Sequence, residues 1–232
     1  TKFATLEMTK NVDDLKKRYK ILVTGQDKAG EFYRHTFGSL FAYVSNRIPE
    51  IADELYRIDA AMCAGFGWEL GPFEMWDAIG AKNALALVEK SGKKTADWVQ
   101  EMLDCGHESF YKNEKGQRQY YDIPSKTYKT IPGRDAFIIL EDIKPSKVVW
   151  GNADCSVLDL GDGILNCEFH SKMNTLGGGV IAGLNMAIEL AEKEYKGLVI
   201  GNQGTNFSVG ANLAILLMYA IEQEWDEINT MI

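Results

Sequence analysis

The stretch Gly201–Ala220, GNQGTNFSVGANLAILLMYA, runs from a loop rich in glycine and asparagine directly into an apolar helix. Glycines permit backbone conformations that other residues avoid, and the first N–H groups of a helix have no partner inside it. We expect this loop to hold an anion or an oxygen atom on which negative charge grows during a reaction. The amide of Ala211, freed by Gly210, is a suitable donor, and one such donor contributes roughly 3 kcal/mol. An ordinary strand-to-helix turn is the alternative.

Other residue types that could do chemistry lack suitable partners along the chain. The histidines are separated from one another and from the cysteines, which predicts no metal site: His35, His107 and His170. Although His170 precedes Ser171, neighbours on a strand point to opposite faces, so we do not expect them to form a nucleophile and its base. The acids around a predicted short helix are assigned no chemistry and are expected to face solvent or the helix dipole: Glu69, Glu74 and Asp77.

The segment Gly177–Ala182, GGGVIA, formally satisfies the dinucleotide pattern G-x-G-x-x-A at the start of a predicted helix. However, about seven residues, SKMNTLG, separate the preceding strand from the middle glycine, where a tight turn is needed. The next strand ends at Asn202 and Gln203, which offer no acid to hold a ribose. NAD binding on this segment is therefore a third-ranked alternative.

Composition excludes several classes of protein. The 25 basic and 33 acidic residues give a net charge of −8, which argues against nucleic-acid binding. Four widely spaced cysteines predict reduced thiols and a cytoplasmic location. The longest apolar run, Leu213–Ile221, is shorter than the ~20 residues of a membrane span, and no secretory signal opens the chain. Because the first residue is Thr1 and not Met, we expect a fragment of a longer protein.

Residues 1–106 are predicted to be entirely helical. Apolar spacing predicts one helix around Phe37–Val44 and a second from Ile51 to a stop at Gly65. Pro72 at a first helical position and a stop at Gly80 predict a short buried helix. A further helix is expected from a Thr95 cap to Gly106.

The second half of the chain differs from the first in amino-acid composition. Residues 107–147 are rich in Tyr, Lys and Pro and predict a solvated linker that carries a hairpin about an Ile-Pro-Ser turn. Residues 148–232 predict two strands around Gly161-Asp162-Gly163, then a helix and a further strand, which together form a right-handed βαβ unit. Because a parallel sheet is normally covered on both faces, the few helices predict an incomplete domain with an unpaired edge.

Three quoted stretches, NCEFHSKMNTL, GLVIGNQGTNFSVGANL and WDEI, together resemble the N-terminal half of the enoyl-CoA hydratase (crotonase) family. The resemblance implies that Ala211 supplies an oxyanion-hole amide, with Gly210 permitting its approach. It also implies residues that line the CoA thioester: Lys172, Met173, Asn174 and Phe207. Asn212 stands where the hydratases usually have Asp, and HSKMN lacks the family's common Pro.

A second stretch, SNRIPEIADELYRIDAAMCAGFGWELGPFEMWDAIG, resembles the C-terminal helical domain of 3-hydroxyacyl-CoA dehydrogenases. Asn46 matches an Asn that lies near substrate in simple dehydrogenases, although NRIPEIAD more closely resembles the non-catalytic copy of that domain in fused proteins. The order of the two motifs resembles fused two-activity β-oxidation proteins of prokaryotes. The resemblance implies a parent that hydrates trans-2-enoyl-CoA and oxidises 3-hydroxyacyl-CoA with NAD.

These expectations define three segments: a helical dehydrogenase-type domain over 1–106, a linker over 107–147, and half of a crotonase-like domain over 148–232. The fold class is α followed by α/β, the latter an incomplete ββα unit. The resemblance places the NAD site and the catalytic glutamates in missing N- and C-terminal segments, so this chain is expected to bind no cofactor and to be inactive. Its partners are an acyl-CoA thioester, those missing domains and a second copy of itself. The alternative is a non-catalytic CoA-thioester-binding or assembly module.

Overall fold

The computed structural model describes residues 2–114, 116–134 and 137–231, with side chains described as far as residue 229. The outer ends of the predicted domains, Thr1 and Ile232, lie outside this range. The chain divides into two compact units at Gly133. Each unit has a hydrophobic core of its own.

The first unit begins with helices, as the sequence predicts. They are α1 Ala4–Thr9, α2 Leu15–Thr24, α3 Lys28–Ser45, α4 Leu55–Phe66, α5 Pro72–Ile79, α6 Ala81–Lys90 and α7 Asp97–Asp104. Helix α5 shows why its bounds were predictable. Pro72 occupies its first position, and the Glu74 carboxylate accepts a 2.8 Å hydrogen bond from the amide of Gly71.

Three predicted helix bounds differ from the structure. The segment at Ile51 forms a turn in which this side chain is 69 % exposed, so α4 begins only at Leu55. The helix ends at Phe66 because Gly67, and not Gly65, adopts the left-handed conformation, with φ of 66°. Thr95 is buried and does not cap α7.

Residues 107–133 belong to the first unit and are not a solvated connector. Strands β1 Tyr111–Glu114, β2 Gln117–Asp122 and β3 Thr127–Thr130 form an antiparallel sheet, and the predicted Ile-Pro-Ser turn joins the last two. Phe110 and Tyr121 are buried among the helices. The aromatic residues of this segment pack in the core. In the sequence they alternate with cations and acids, and this pattern indicated an exposed segment.

Aromatic rings fill the centre of the first unit. The Phe41 and Trp76 rings stack at a centroid distance of 4.8 Å, and Phe110 meets the edge of Trp76 at 4.9 Å. Phe73 lies 5.2 Å from Phe110. These contacts join α3, α5 and the segment before β1 into one core.

Two aspartates at the border of this core, the buried Asp59 and the half-buried Asp77, bind backbone amides. Asp59 accepts hydrogen bonds from the amides of Phe73 and Glu74, at 2.9 and 3.0 Å, at the start of α5. Asp77, which the sequence places towards solvent, instead accepts from the amides that begin β1, at 2.8 to 3.0 Å. Burial raises the pKa of both carboxyl groups to about 7. The two aspartates therefore join α4, α5 and the sheet.

The second unit is built around a mixed sheet in the order β4-β5-β6-β7. Its elements are α8 Leu140–Lys147, β4 Val148–Gly151, β5 Cys155–Gly161, β6 Ile164–Phe169, α9 Gly178–Glu194, β7 Gly197–Ile200, α10 Leu213–Glu222 and α11 Trp225–Met231. The predicted hairpin is present: Asp162 has a φ of 54° between two glycines of positive φ. Strands β6 and β7 are parallel and α9 connects them, as predicted.

One edge and one helix of this unit are open. Within the described residues, β7 pairs only with β6, and its last residues Val199 and Ile200 are 45 % and 46 % exposed. Helix α10 has no buried residue, and Leu213, Leu217 and Ile221 along it are highly exposed. In the described part of the chain, no helix combines the length and apolar character that crossing a membrane requires.

Two glycines provide a matched test of this packing. A Cβ at Gly71 would overlap the backbone of Asp59, so Gly71→Ala should lower the free energy of unfolding by about 2–4 kcal/mol. A Cβ at Gly65, inside α4, meets nothing within 4 Å, and Gly65→Ala should raise stability by about 0.5–1 kcal/mol. Urea unfolding measures both. Equal effects would contradict the proposed contact between α4 and α5.

Asp59 and Asp77 predict that the free energy of unfolding depends on pH. Because their folded pKa is raised from 3.8 to about 7, the folded state binds protons more tightly than the unfolded state. Their contribution to stability is complete below pH 4 and is lost as pH rises through 7, a decrease of at least about 2 kcal/mol. Urea unfolding at pH 5 and 7.5 should show this slope, and Asp59→Asn should reduce it. The exposed Asp53→Asn should leave it unchanged.

Candidate functional site

The candidate site lies at one edge of the second unit's sheet. Because β6 and β7 are parallel neighbours, their carboxyl ends meet there, and the loops 170–177 and 201–212 follow them. Helices α9 and α10 begin at the ends of these same two loops. Ligands commonly bind at such edges, because loops and helix N-termini converge there.

A short parallel bridge between Leu176 and Ala211 joins the two loops. The Leu176 amide donates to the carbonyl of Gly210 at 2.8 Å, and the Asn212 amide donates to the carbonyl of Leu176 at 3.2 Å. Since successive backbone groups of an extended segment point to opposite sides, the Ala211 amide faces away from the bridge. It has no acceptor among the described residues, and Ala211 is exposed.

Gly210 shapes the backbone in front of this amide. Its φ of 89° lies in a region that residues with a side chain rarely adopt, which accounts for a glycine at this position. Asn212 caps α10, because its side-chain oxygen accepts from the Ala214 amide at 3.1 Å. The side chain of Asn212 therefore supplies the cap of this helix.

The turn predicted to line CoA is a strained 3₁₀ turn, Lys172–Asn174. Met173 and Asn174 have φ of 55° and 53°, although neither is glycine. Met173 is also 61 % exposed. Strain of this kind persists only where surrounding contacts maintain it, and it is often found at ligand sites.

Side-chain hydrogen bonds connect this turn to the loop that carries Ala211. The Asn174 side-chain amide donates to the carbonyl of Asn206 at 2.8 Å. Ser208 donates to the carbonyl of Asn174 at 2.6 Å and accepts from the amide of Gly210 at 3.0 Å. The structure thus brings the predicted turn and loop together. The linking role of Ser208 could not be recognised from the sequence, because its partner lies 34 residues earlier.

Phe207 adds an apolar surface beside this loop. Its ring is 59 % exposed and lies 6.0 Å from the ring of Phe169, the last residue of β6. With Met173, it gives the candidate site two exposed apolar side chains. The site can therefore offer a hydrogen-bond donor and apolar contacts to one ligand.

Two further side chains, also missed from the sequence, hold the loop. Asn202 accepts from the amide of Phe169 and donates to the carbonyl of Phe207, both at 2.7 Å. Gln203 accepts from the amide of Leu140 and donates to the carbonyl of Ile138, also both at 2.7 Å. An amide side chain directly after a strand is the only sequence signal for these contacts.

His170 interacts with Ser156, not with its neighbour in the chain. Its Nε2 lies 2.9 Å from the Ser156 hydroxyl, whereas Ser171 donates to the carbonyl of Thr175 at 2.8 Å. The buried thiols of Cys155 and Cys167 lie 3.3 Å apart. Among the described residues, no group of three or more His, Cys, Asp or Glu is placed to hold a metal ion.

Asn46, in the first unit, supports the backbone around it. Its side-chain amide donates to the carbonyls of Ala42 and Lys94, at 2.8 and 2.9 Å. Both donor hydrogens are therefore engaged in connecting the end of α3 to the loop before α7. This geometry favours a structural role over a catalytic one.

Three curated relatives match this sequence. The chain is 41 % identical over all 232 residues to "Probable 3-hydroxyacyl-CoA dehydrogenase" of Bacillus subtilis, and spans 29 % of that protein. Over 211 residues it is 25 % and 26 % identical to proteins of Rickettsia felis and Rickettsia prowazekii, each named "Putative fatty acid oxidation complex trifunctional enzyme". It spans 26 % of each of these.

The chain thus corresponds to less than a third of the length of each relative. No family model matches the chain, and no solved structure matches it. The dehydrogenase resemblance agrees with the name of the Bacillus subtilis relative. None of the three names mentions a hydratase, so the crotonase resemblance stays a prediction.

The strained turn generates a testable prediction. Replacing Met173 by glycine removes the cost of a left-handed non-glycine residue, whereas replacing it by alanine removes the side chain and keeps that cost. Met173→Gly should therefore be more stable than Met173→Ala by about 1 kcal/mol. Urea unfolding of the two variants measures the difference. A more stable alanine variant would show that the turn is not strained.

Proposed function

We propose that this chain is part of a longer β-oxidation enzyme with 3-hydroxyacyl-CoA dehydrogenase and enoyl-CoA hydratase activities. The first unit is its helical dehydrogenase-type domain, and the second is the N-terminal half of its hydratase domain. The names of the relatives support the dehydrogenase and fatty-acid oxidation parts of this proposal. Their greater length supports the assignment to a larger protein, for which we propose a cytoplasmic location.

One observation carries the hydratase part: the Ala211 amide at the start of the α10 segment is exposed and has no acceptor among the residues that the structure describes. In a trans-2-enoyl-CoA thioester, the oxygen of water bonds to Cβ and gives up a proton to a base, and the π electrons of the double bond shift so that the carbonyl oxygen gains negative charge. A proton then adds to Cα and restores the carbonyl. An amide fixed in front of that oxygen stabilises the developing charge. The Leu176 bridge fixes the backbone on both sides of Ala211, so the donor is oriented before the ligand binds.

The side chains around Ala211 suit the rest of an acyl-CoA molecule. Met173 and Phe207 offer apolar contacts to the acyl chain or the pantetheine arm. Lys172, which is exposed at the same turn, provides a positive charge for the phosphate groups. Asn174 shapes the turn through its bonds to the loop. Gly210 gives the oxygen atom access to the amide.

This chain is proposed to bind the thioester without turning it over. The loop 201–212 contains no Asp, Glu, His or Lys, so it offers no general acid or base beside the Ala211 amide. General acid–base catalysis contributes about 10²–10⁴-fold to a rate. The parent's NAD site and its catalytic glutamates are assigned to other segments of the longer protein.

The binding experiment compares a saturated acyl-CoA thioester with the matching S-alkyl-CoA thioether, which lacks the carbonyl oxygen. One hydrogen bond contributes about 0.5–1.5 kcal/mol net, so the thioester should bind about 2- to 10-fold more tightly. Phe207→Ala should weaken the binding of both ligands equally. Phe66→Ala, an exposed phenylalanine of the first unit, is the control and should change neither. Titration calorimetry measures all six affinities, those of the wild type and the two variants for each ligand.

Equal binding of thioester and thioether would contradict the role of the Ala211 amide. Crotonyl-CoA hydration by the same preparation should be at least about 100-fold slower than that of an intact hydratase. A rate close to that of the intact enzyme would contradict the assignment of the acid–base residues to other segments.

A further inference from the structure

The loop that carries Ala211 lies beyond the end of the regular sheet. The last backbone bond from β7 to β6 is that of the Gly201 amide to the carbonyl of Cys167, at 3.2 Å. Residues 203–207 are all exposed, so burial does not fix the position of this part of the loop. Other interactions must hold it, since a displacement of a fraction of an ångström weakens a catalytic hydrogen bond.

Asn202 continues the sheet pairing through its side chain. Its oxygen accepts a 2.7 Å hydrogen bond from the amide of Phe169, the next donor along β6. Its NH₂ group binds the carbonyl of Phe207, four residues before Ala211, at 2.7 Å. One side chain therefore connects the end of β6 to the middle of the loop, with both its polar atoms engaged.

Several contacts hold the loop. Asn202 fixes it at Phe207, Asn174 binds the carbonyl of Asn206, and the bridge to Leu176 fixes it at Ala211. The Ser208 hydroxyl donates to the carbonyl of Asn174 and accepts from the amide of Gly210. Of these contacts, those of Asn202 join the second half of the loop to the end of β6.

We propose that Asn202 is a positioning residue that holds the Ala211 amide in place for the acyl oxygen. This inference rests on the proposed function. Asn202 itself touches Phe169 and Phe207 and acts on the ligand through the loop backbone. Its neighbour Gln203 binds Ile138 and Leu140 instead, so its bonds hold the start of the loop and do not reach the half that carries Ala211.

The adjacent residues permit an isosteric comparison. Asn202→Asp keeps the acceptor for the Phe169 amide but places an oxygen against the carbonyl of Phe207, which repels it. Gln203→Glu makes the same chemical change against the carbonyl of Ile138. Both variants add one negative charge to the same loop. Circular dichroism and thermal unfolding confirm that each variant is folded.

Two measurements are made on the full 232-residue chain. Hydrogen exchange of the Gly210 and Asn212 amides, which are bonded in the wild type, should be roughly tenfold faster in Asn202→Asp and unchanged in Gln203→Glu. A saturating acyl-CoA with a ¹³C-labelled thioester carbon reports carbonyl polarisation. Its downfield shift on binding should fall by about half or more in Asn202→Asp and stay at the wild-type value in Gln203→Glu.

The outcomes separate the inference from the function on which it rests. If Asn202→Asp retains the wild-type exchange rates or the full carbonyl shift, Asn202 is not a positioning residue. The inference is also overturned if Gln203→Glu reduces the shift equally, because the effect would then be one of charge. If the wild-type chain itself shows no carbonyl shift at saturation, the result contradicts the proposed function and therefore also the inference that rests on it.

Discussion

The pairing of Leu176 with Ala211 is the constraint on which the candidate site depends. It uses both backbone groups of Leu176 and the groups on either side of Ala211, at 2.8 and 3.2 Å. The geometry of an extended segment then turns the remaining N–H outwards. In the free protein this exposed donor is solvated by water, and a ligand oxygen can take the place of that water on binding.

The first unit uses the same chemical groups for a different purpose. Asp59 accepts hydrogen bonds from amides at the start of a helix, and Asp77 accepts them from amides at the start of a strand. These donors therefore have partners inside the protein. Glu74 accepts from Arg118 at 2.5 Å and also from the Gly71 amide. Amides whose acceptor lies within the protein stabilise the fold. The open amide of Ala211 is suited to binding.

Much of the local structure could be predicted from the sequence, because it depends on neighbours in the chain. Pro72 and Gly80 gave the bounds of α5, and Gly161-Asp162-Gly163 gave the β5–β6 turn. The bonds of Asp77 to Phe110 and of Asn202 to Phe169 were not predictable, since each joins residues 33 positions apart. Ile51 fits the helical period but lies in a turn.

The most direct test of this account is the amide proton resonance of Ala211 during titration with an acyl-CoA thioester. The account predicts that this proton exchanges rapidly with water in the free protein, and that it moves downfield in a saturable way as the thioester binds. The amide proton resonance of Gly183, inside α9, should not shift during the titration. An Ala211 amide that is already protected in the free protein, or that stays unmoved at saturation, would contradict the account.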